Sequence, residues 1–251
     1  MSEANAIPAN RFGLSGSIRL LSLCAWLALW LILFALILYP VSTNILRFGS
    51  LICVLALWCG ALFLFWNKKL LRFILLLIVL IVATLFFLPG RASNAAAMRQ
   101  AYVNSLMQYE GTRYVWGGEN RFGIDCSGLV RRGLVNADFK QGILTANPGL
   151  IREASSLWWH DESASMLLAG YRKRTRDLLA VGSINELDHS LLLPGDIAVT
   201  ADGLHTLAYI GDQTWIEADP GPMRVIKVRA PSDNIWFKVP VHIMRWQQFE
   251  N

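Results

Sequence analysis

Acidic residues are almost missing from the N-terminal part of the chain. Residues 1–90 contain one acidic residue, Glu3, and six lysines or arginines, whereas residues 91–251 contain 17 residues of each sign. The net charge of +5 therefore belongs to the N-terminal part. Because residues 91–251 carry no basic excess, the sequence does not indicate a nucleic-acid-binding domain, and we expect no nucleic acid among the partners.

Charged residues are also absent from residues 20–39, 48–66 and 73–88. A helix that crosses a bilayer needs about 17–25 apolar residues. The third stretch reaches this length as residues 70–88, with Arg72 extending its head group toward the interface. The first stretch is longer than the apolar run of a secretory signal, about 7–15 residues, and no small-residue cleavage site follows it. We therefore predict three transmembrane helices in contact with the lipid bilayer.

The basic residues beside these stretches predict their orientation. Arg11 and Arg19 precede the first stretch, a cluster at residues 68–72 separates the second from the third, and Arg47 alone lies between the first and the second. Basic loops stay on the cytoplasmic side. We therefore expect the N-terminus and the 68–72 cluster in the cytoplasm, and the chain from about residue 90 onward outside it. With only two spans the orientation would be reversed.

Cysteine and histidine are scarce as well. Three of the four cysteines, Cys24, Cys53 and Cys59, lie within the predicted spans, where cysteine usually serves as a small apolar residue. Cys126 therefore has no disulfide partner in residues 91–251, and an unpaired thiol in an exported domain is unusual. None of the four histidines has metal-ligand spacing with Cys126, so we expect no metal site and no cofactor.

The part of the chain from residue 91 onward has the pattern of an α+β domain. Residues 91–111 predict a helix that Gly111 ends. The charged run YRKRTRD, residues 171–177, predicts a solvated helix face. From residue 194 onward, five short β-rich segments separated by Gly, Asp and Pro turns predict an antiparallel meander. Helices followed by such a meander form an α+β domain.

The sequence around Cys126 is typical of a cysteine at the start of a helix. In the segment DCSGLVRRGLV, Asp125 is the expected N-cap, and apolar residues recur at helical spacing while Arg131 and Arg132 face water. A cysteine reacts as the thiolate, and a helix N-terminus together with a histidine lowers the pKa of a thiol. The alternative is a small, buried, structural cysteine.

His205 is the candidate base. The segment HTLAYIG, which begins at His205, predicts a strand, and TWIEAD predicts the next strand after a tight turn. Strand pairing then puts Glu217 roughly across from residues 206–207, close enough to orient the imidazole. Asp219 is the alternative, because it lies more nearly across from His205 itself. Spacing alone does not decide whether Glu217 or Asp219 orients His205.

Five motifs together resemble the NlpC/P60 family of papain-like cysteine peptidases. They are YVWGG at residues 114–118, DCSGLV at 125–130, LPGDI at 193–197, HTLAYIGD at 205–212 and WIEADPGP at 215–222. The resemblance covers residues 98–243 and has no part in the membrane region. It implies a papain-like α+β domain at residues 91–251, preceded by a membrane region at residues 1–90.

The resemblance also implies roles for individual residues. Cys126 is the implied nucleophile, His205 the base, and Glu217 the residue that orients His205. The implied oxyanion and substrate-binding region contains Tyr114, Asp125 and Ser127. Family members mostly hydrolyse amide bonds of peptidoglycan peptides, typically between D-γ-glutamate and diaminopimelate or lysine, through a thioester. We therefore expect a multi-pass protein of a bacterial inner membrane whose extracytoplasmic domain cuts wall peptides.

Two features depart from the family pattern. Glu217 stands where the family usually has His, Asn or Gln, and an ionisable residue there would hold His205 as an ion pair. The segment between the candidate nucleophile and the candidate base is longer than usual. This length implies an insertion at about residues 137–192 that shapes substrate access. Its Trp158 and Trp159 either close over the cleft or, as large aromatic residues more often do, pack in the interior.

Two other functions remain open. A catalytically silent domain that binds wall peptides or a partner protein would be expected to lack the cysteine or the histidine, and both are present. A thiol acyltransferase of a related fold usually has its histidine before its cysteine, whereas here Cys126 comes first. The sequence does not identify a protein partner.

Overall fold

The structure is a computed structural model of the chain and describes residues 16–250. Arg11, on which the predicted orientation partly depends, lies outside the described residues. The described chain forms two compact units. The first contains the residues up to Ile37 together with Phe48–Val82, and the second contains Leu38–Arg47 together with the residues from Ala83 onward.

Three long apolar helices occupy the N-terminal part of the described chain. They are α1 (Gly16–Leu38), α2 (Asn44–Leu64) and α3 (Lys69–Phe87). Each is long and apolar enough to cross a membrane, and no more than 11% of the most apolar segment of any of them is buried. A helix without a polar face is suited to lipid. Helices α1 and α2 begin before the predicted uncharged stretches because their first turns include Arg19 and Arg47.

The second unit has the predicted α+β architecture. Its helices are α4 (Ala95–Met107), α5 (Cys126–Leu144), α6 (Pro148–Trp159) and α7 (Ala164–Leu168). A two-stranded hairpin is formed by β1 (Glu119–Asn120) and β2 (Gly123–Ile124).

A six-stranded antiparallel sheet completes the second unit. Its strands are β3 (Thr175–Val181), β4 (Ile197–Thr200), β5 (Thr206–Gly211), β6 (Thr214–Asp219), β7 (Arg224–Arg229) and β8 (Val241–Trp246). The strand order is β3-β8-β4-β5-β6-β7. Strands β4 to β8 correspond to the five predicted β-rich segments. Strands β4 to β7 form the predicted meander, but β8 does not continue it: β8 pairs with β4 and β3 on the other side of the sheet.

The charged run at residues 171–177 is not the predicted helix face. Tyr171–Lys173 forms a short 3-10 turn, and the chain then enters the edge strand β3, which pairs with β8. Arg172 and Lys173 have φ angles of 55° and 57°. A right-handed helix cannot contain such residues, so the backbone breaks at this point. The pattern of charges gave no signal of this left-handed backbone.

The sheet separates two hydrophobic clusters. In β4, Ile197 and Val199 face the cluster that contains α4 and α5, while Ala198 faces the cluster on the opposite side of the sheet. This alternation follows from the two-residue period of a strand. The cluster that contains α4 and α5 also includes residues of β4, β5 and β6. The N-terminus of α5 is therefore held against the sheet near the start of β5.

Helices α4 and α5 pack closely at Gly133. A Cβ atom at this position would lie 2.6 Å from a methyl group of Leu106 and 2.9 Å from the ring of Tyr102. We therefore expect Gly133→Ala to lower the free energy of unfolding by about 1–3 kcal/mol through overpacking. Urea unfolding of the detergent-solubilised chain, followed by tryptophan fluorescence, measures the change. Lys140→Ala, at an exposed position of α5, should leave the midpoint unchanged. Equal midpoints for both variants would contradict this packing.

Candidate active site

Cys126 is the first residue of α5. The preceding Asp125 is the N-cap, and its Oδ1 accepts a hydrogen bond of 2.6 Å from a backbone N–H of the first turn. The Cys126 Sγ lies 3.9 Å from the carbonyl oxygen of Leu204, and the backbone N–H of Thr206 also interacts with it. The two residues that flank His205 in the chain therefore both contact the thiol.

Burial controls the ionisation of this thiol. It raises the pKa of Cys126 to about 12, and the Asp125 carboxylate acts in the same direction. The backbone N–H groups of Thr206 and Ser127 act in the opposite direction, but they replace only part of the hydration that the thiolate would lose. The sequence led us to expect a lowered pKa from the helix N-terminus, and the structure shows that desolvation outweighs it. A thiolate is stable here only beside a cation.

His205 directly precedes β5 and is only 2% exposed. Its Nε2 lies 2.7 Å from Oε2 of Glu217. The ring is stacked on Trp236 with a centroid distance of 4.0 Å and an angle of 14° between the planes. Within the described part of the chain, no hydrogen bond involves Nδ1. The ring is therefore fixed through Nε2 and one face, and Nδ1 is left to exchange a proton.

Glu217, and not Asp219, contacts His205. Glu217 is completely buried, and its second carboxylate oxygen accepts a hydrogen bond of 2.9 Å from Asn234. Asp219 accepts hydrogen bonds from the same amide group of Asn234 at 3.0 Å and from the indole of Trp236 at 3.3 Å. Burial raises the pKa of Glu217, whereas its hydrogen bond with His205 lowers it. The two acids therefore have different partners and are connected through one amide.

Asn234 and Trp236 were not found by sequence reasoning. Both lie in the loop between β7 and β8, where Asn234 caps the short 3-10 helix Ile235–Phe237 by accepting a hydrogen bond from the backbone N–H of Trp236. The local sequence PSDN indicates a turn and nothing more. Asn234 and Trp236 contact acids of another strand, so the local sequence around them does not predict these contacts.

A cavity of about 420 Å³, called the cleft below, opens beside Cys126. Its lining includes the predicted oxyanion and substrate-binding residues Tyr114, Asp125 and Ser127. The Ser127 hydroxyl donates a hydrogen bond to Oδ1 of Asp125 at 3.1 Å. Burial raises the pKa of Tyr114, so its hydroxyl stays protonated and is able to donate. His205 is not among the lining residues.

The sequence model of the NlpC/P60 family matches residues 111–245. The chain belongs to this family. No curated protein sequence matches this NlpC/P60 chain. Solved structures that resemble it include NlpC2 from Trichomonas vaginalis, at 19% identity over 61% of this chain and 48% of that one, with a TM-score of 0.40. The match therefore spans about half the length of the Trichomonas protein.

Two further structures resemble the NlpC/P60 domain. The NlpC/p60 domain of the peptidoglycan hydrolase SagA is 19% identical, and the match covers 60% of this chain and 98% of that one, with a TM-score of 0.32. The peptidoglycan hydrolase RipB from Mycobacterium tuberculosis is 18% identical, with coverages of 63% and 69% and a TM-score of 0.38.

The predicted insertion of the NlpC/P60 domain, residues 137–192, contributes to the cleft. Asp161 and residues 163–166 line it. Trp158 and Trp159 do not line it, and their rings contact each other at a centroid distance of 6.3 Å. Neither interpretation of this tryptophan pair is confirmed, because the pair lies outside the cleft but Trp159 is 38% exposed and Trp158 is only partly buried.

Arg131 of the NlpC/P60 domain is buried, with 2% of the residue exposed, although the sequence predicted that it faces water. Its guanidinium contacts Glu119, lies 2.9 Å from Asp161, and donates to the carbonyl oxygens of Leu157 at 3.0 Å and His160 at 2.7 Å. A buried charge persists only when it is paired and hydrogen-bonded. The prediction was wrong because the residues that cover Arg131 come from the end of α6, far along the chain.

The ionisation of Cys126 should depend on His205. In a His205→Gln variant the raised pKa of the thiol is no longer offset by an imidazolium, so less thiolate exists at neutral pH. We expect alkylation of Cys126 by iodoacetamide at pH 7 to be at least about tenfold slower than in the unmodified chain. The rate in the variant should keep rising beyond about pH 9, above the titration of an ordinary thiol.

Peptide mass spectrometry measures this rate separately for Cys126 and for the three cysteines of the apolar helices. His242→Gln is the matched control, because His242 lies on β8 and pairs with Asp177. It should leave the rate unchanged. Equal rates at pH 7 for His205→Gln and the unmodified chain would show that His205 does not support the thiolate.

Proposed function

We propose that this NlpC/P60 chain is a membrane-anchored cysteine peptidase that hydrolyses amide bonds of peptidoglycan stem peptides. The observation that carries the proposal is the arrangement around His205: its chain neighbours contact the Cys126 thiol while its ring is hydrogen-bonded to the buried Glu217. Family membership and the five motifs support the substrate class. The bond between D-γ-glutamate and diaminopimelate is the one we expect to be cut.

Acylation begins when Cys126 Sγ attacks the carbonyl carbon of the scissile amide and its proton passes to Nδ1 of His205. A C–S bond forms, and the carbonyl oxygen becomes an oxyanion. Backbone N–H groups at the start of α5 and the hydroxyl of Tyr114 are suited to stabilise this charge. The C–N bond then breaks, and the departing amine takes the proton from His205. A thioester on Cys126 remains.

Deacylation restores the enzyme. A water molecule gives a proton to His205 and attacks the thioester carbonyl, the C–S bond breaks, and the thiolate recovers its proton from His205. Glu217 acts through His205 in both halves of the reaction. Its carboxylate holds the Nε2–H bond and offsets the charge of the transient imidazolium, as the acid of a serine triad does.

The triad is tested with purified muropeptides, the full-length chain in detergent, and mass spectrometry of the products. We expect Cys126→Ala to abolish hydrolysis. Glu217→Gln keeps an acceptor for Nε2–H and should retain kcat within about tenfold, whereas Glu217→Ala should lose about 10²–10⁴-fold, the range of general base catalysis. Asp219→Asn, which keeps a partner for Asn234, should lose less than Glu217→Ala. If Asp219→Asn stops turnover and Glu217→Ala does not, Asp219 is the orienting acid.

We further propose that residues 1–90 anchor a peptidase domain, residues 91–251, outside the cytoplasm. The three apolar helices support the membrane anchor. The orientation has support from the basic residues at positions 68–72. The number of crossings has support from Ser42, which lies between α1 and α2, belongs to the second unit and donates a backbone hydrogen bond of 2.9 Å to Gly117. Both ends of this bond must be on the same side of the membrane. Two helices, α2 and α3, separate them in the chain, and two crossings return the chain to the same side.

Reporter fusions test the orientation. Alkaline phosphatase fused after residue 250 should be active, and a fluorescent protein that matures only in the cytosol should be dark at the same position. A pair of fusions after Asn67, between α2 and α3, is the matched control and should give the opposite pattern. A fluorescent C-terminal fusion together with an inactive phosphatase would reject the extracytoplasmic assignment.

A further inference from the structure

Residues 38–47, which run from the last residue of α1 to the first turn of α2 and belong to the second unit, are called the connector. It extends the β1–β2 hairpin: Val41 forms an antiparallel bridge with Gly118, and the backbone N–H of Glu119 donates to the carbonyl oxygen of Pro40 at 2.9 Å. The side chain of Asn120 donates to the carbonyl oxygen of Tyr39 at 2.8 Å. The connector therefore pairs with the hairpin that immediately precedes the Cys126 helix.

Arg47, the last residue of the connector, binds it to the hairpin and to the end of α6. Its side chain is buried and donates to the hydroxyl of Ser42 at 2.9 Å, to the carbonyl oxygen of Trp159 at 3.3 Å and to Glu119 at 3.0 Å. Glu119 is also the partner of Arg131 on α5. Two buried arginines, one from the connector and one from the nucleophile helix, thus share one carboxylate. Removal of a partner from such a cluster is costly, so the connector is held firmly.

The connector also forms part of the cleft. Ser42 lines the same cavity as Cys126. The Ser42 backbone donates to the carbonyl of Gly117, and the N–H of Gly117 donates to the Asp125 carboxylate at 2.7 Å. Gly117 therefore joins the connector to Asp125, the cap of α5, through its carbonyl and N–H groups. A substrate in the cleft therefore contacts Ser42, a residue that lies between two of the apolar helices in the sequence.

Chain length limits the distance between Ser42 and the bilayer. Ser42 is two residues before α2 begins, and the uncharged stretch of α2 begins at Phe48. Two extended residues cover about 7 Å, and four helical residues rise about 6 Å. With α2 across the membrane, Ser42 lies within about 13 Å of the hydrocarbon edge. The head-group layer is itself about 5–8 Å thick on each side.

Two exposed aromatic residues lie close in sequence to the residues that pair with the connector. Trp116 lines the cleft and is 78% exposed, and Phe122, in the turn of the β1–β2 hairpin, is 55% exposed. Such side chains are costly in water but favourable at the interface between lipid and water, where tryptophan is enriched. They support a position of the cleft mouth in the head-group layer.

We propose that the substrate of the cleft is a stem peptide held at the bilayer surface by a lipid anchor, and not a peptide of the distant, assembled wall. This inference rests on the proposed function and adds the location of the scissile bond. The connector sets the specificity, because Ser42 lines the same cavity as Cys126 and its distance from the hydrocarbon edge is limited by the chain, so a peptide displaced rigidly by much more than this distance is out of reach.

The experiment uses the full chain reconstituted in phosphatidylcholine vesicles. Two probes carry the same disaccharide and stem peptide on the same dioleoyl lipid at the same surface density. One is joined directly to the lipid, and the other through ten prolines, a semi-rigid spacer that extends about 31 Å. We expect the direct probe to be cleaved at least tenfold faster than the spaced probe. Because both probes are confined to the membrane, local concentration does not explain such a difference.

Equal rates, or faster cleavage of the spaced probe, overturn the inference. A soluble muropeptide of the same sequence, at high concentration, is the third arm, and Cys126→Ala measures the background. Cleavage of the soluble muropeptide with no preference between the lipid probes rejects the location but leaves the proposed function intact. No cleavage in any arm rejects the proposed function, and the inference with it.

Discussion

The carboxylate of Asp125 joins the nucleophile helix to the segment that holds the connector. One oxygen caps α5 and accepts the Ser127 hydroxyl, and the other accepts the N–H of Gly117. Through Gly117 this acid reaches the connector, and through α5 it sets the position of Cys126. Burial raises the pKa of Asp125, and its three hydrogen bonds lower it. Burial and, second to it, the same carboxylate raise the pKa of the Cys126 thiol, so a thiolate there needs the support of His205.

The parts of the fold with local causes were predictable. The start of α5 follows from the cap at Asp125, and the strands β4 to β8 follow from short β-rich segments between turns. The place of β8 between β3 and β4 does not follow from them, because pairing with a distant strand leaves no local pattern. The register of β5 and β6, in which Ala208 is opposite Ile216, is the predicted one, but it does not distinguish Glu217 from Asp219. Continuing this pairing puts Asp219 opposite His205 and Glu217 opposite Leu207, so the contact between Glu217 and His205 is a diagonal one. Asp219 is bonded instead to Asn234 and Trp236, which come from a loop that the sequence did not connect with the site.

The parts with distant causes were not predictable. Arg131 has the spacing of an exposed helix residue, and it is buried by Glu119 from the hairpin and by carbonyl groups from α6. Asn234 and Trp236 reach the candidate triad from a loop that carries an ordinary turn sequence. The connector has no motif at all, because it binds the hairpin mainly through backbone hydrogen bonds, which any sequence without a poorly placed proline is able to make.

The sharing of Glu119 between Arg47 and Arg131 has a consequence for protein engineering. A soluble fragment that starts after α3 is the usual choice for crystallisation or for inhibitor screening against a membrane-tethered hydrolase. In this chain such a fragment would lack Arg47, expose the edge of the β1–β2 hairpin and open one side of the cleft. Compounds selected against it would be fitted to a cavity that the intact protein does not present. A faithful fragment needs the ten connector residues grafted back, for example by a short link from Arg47 to the start of α4.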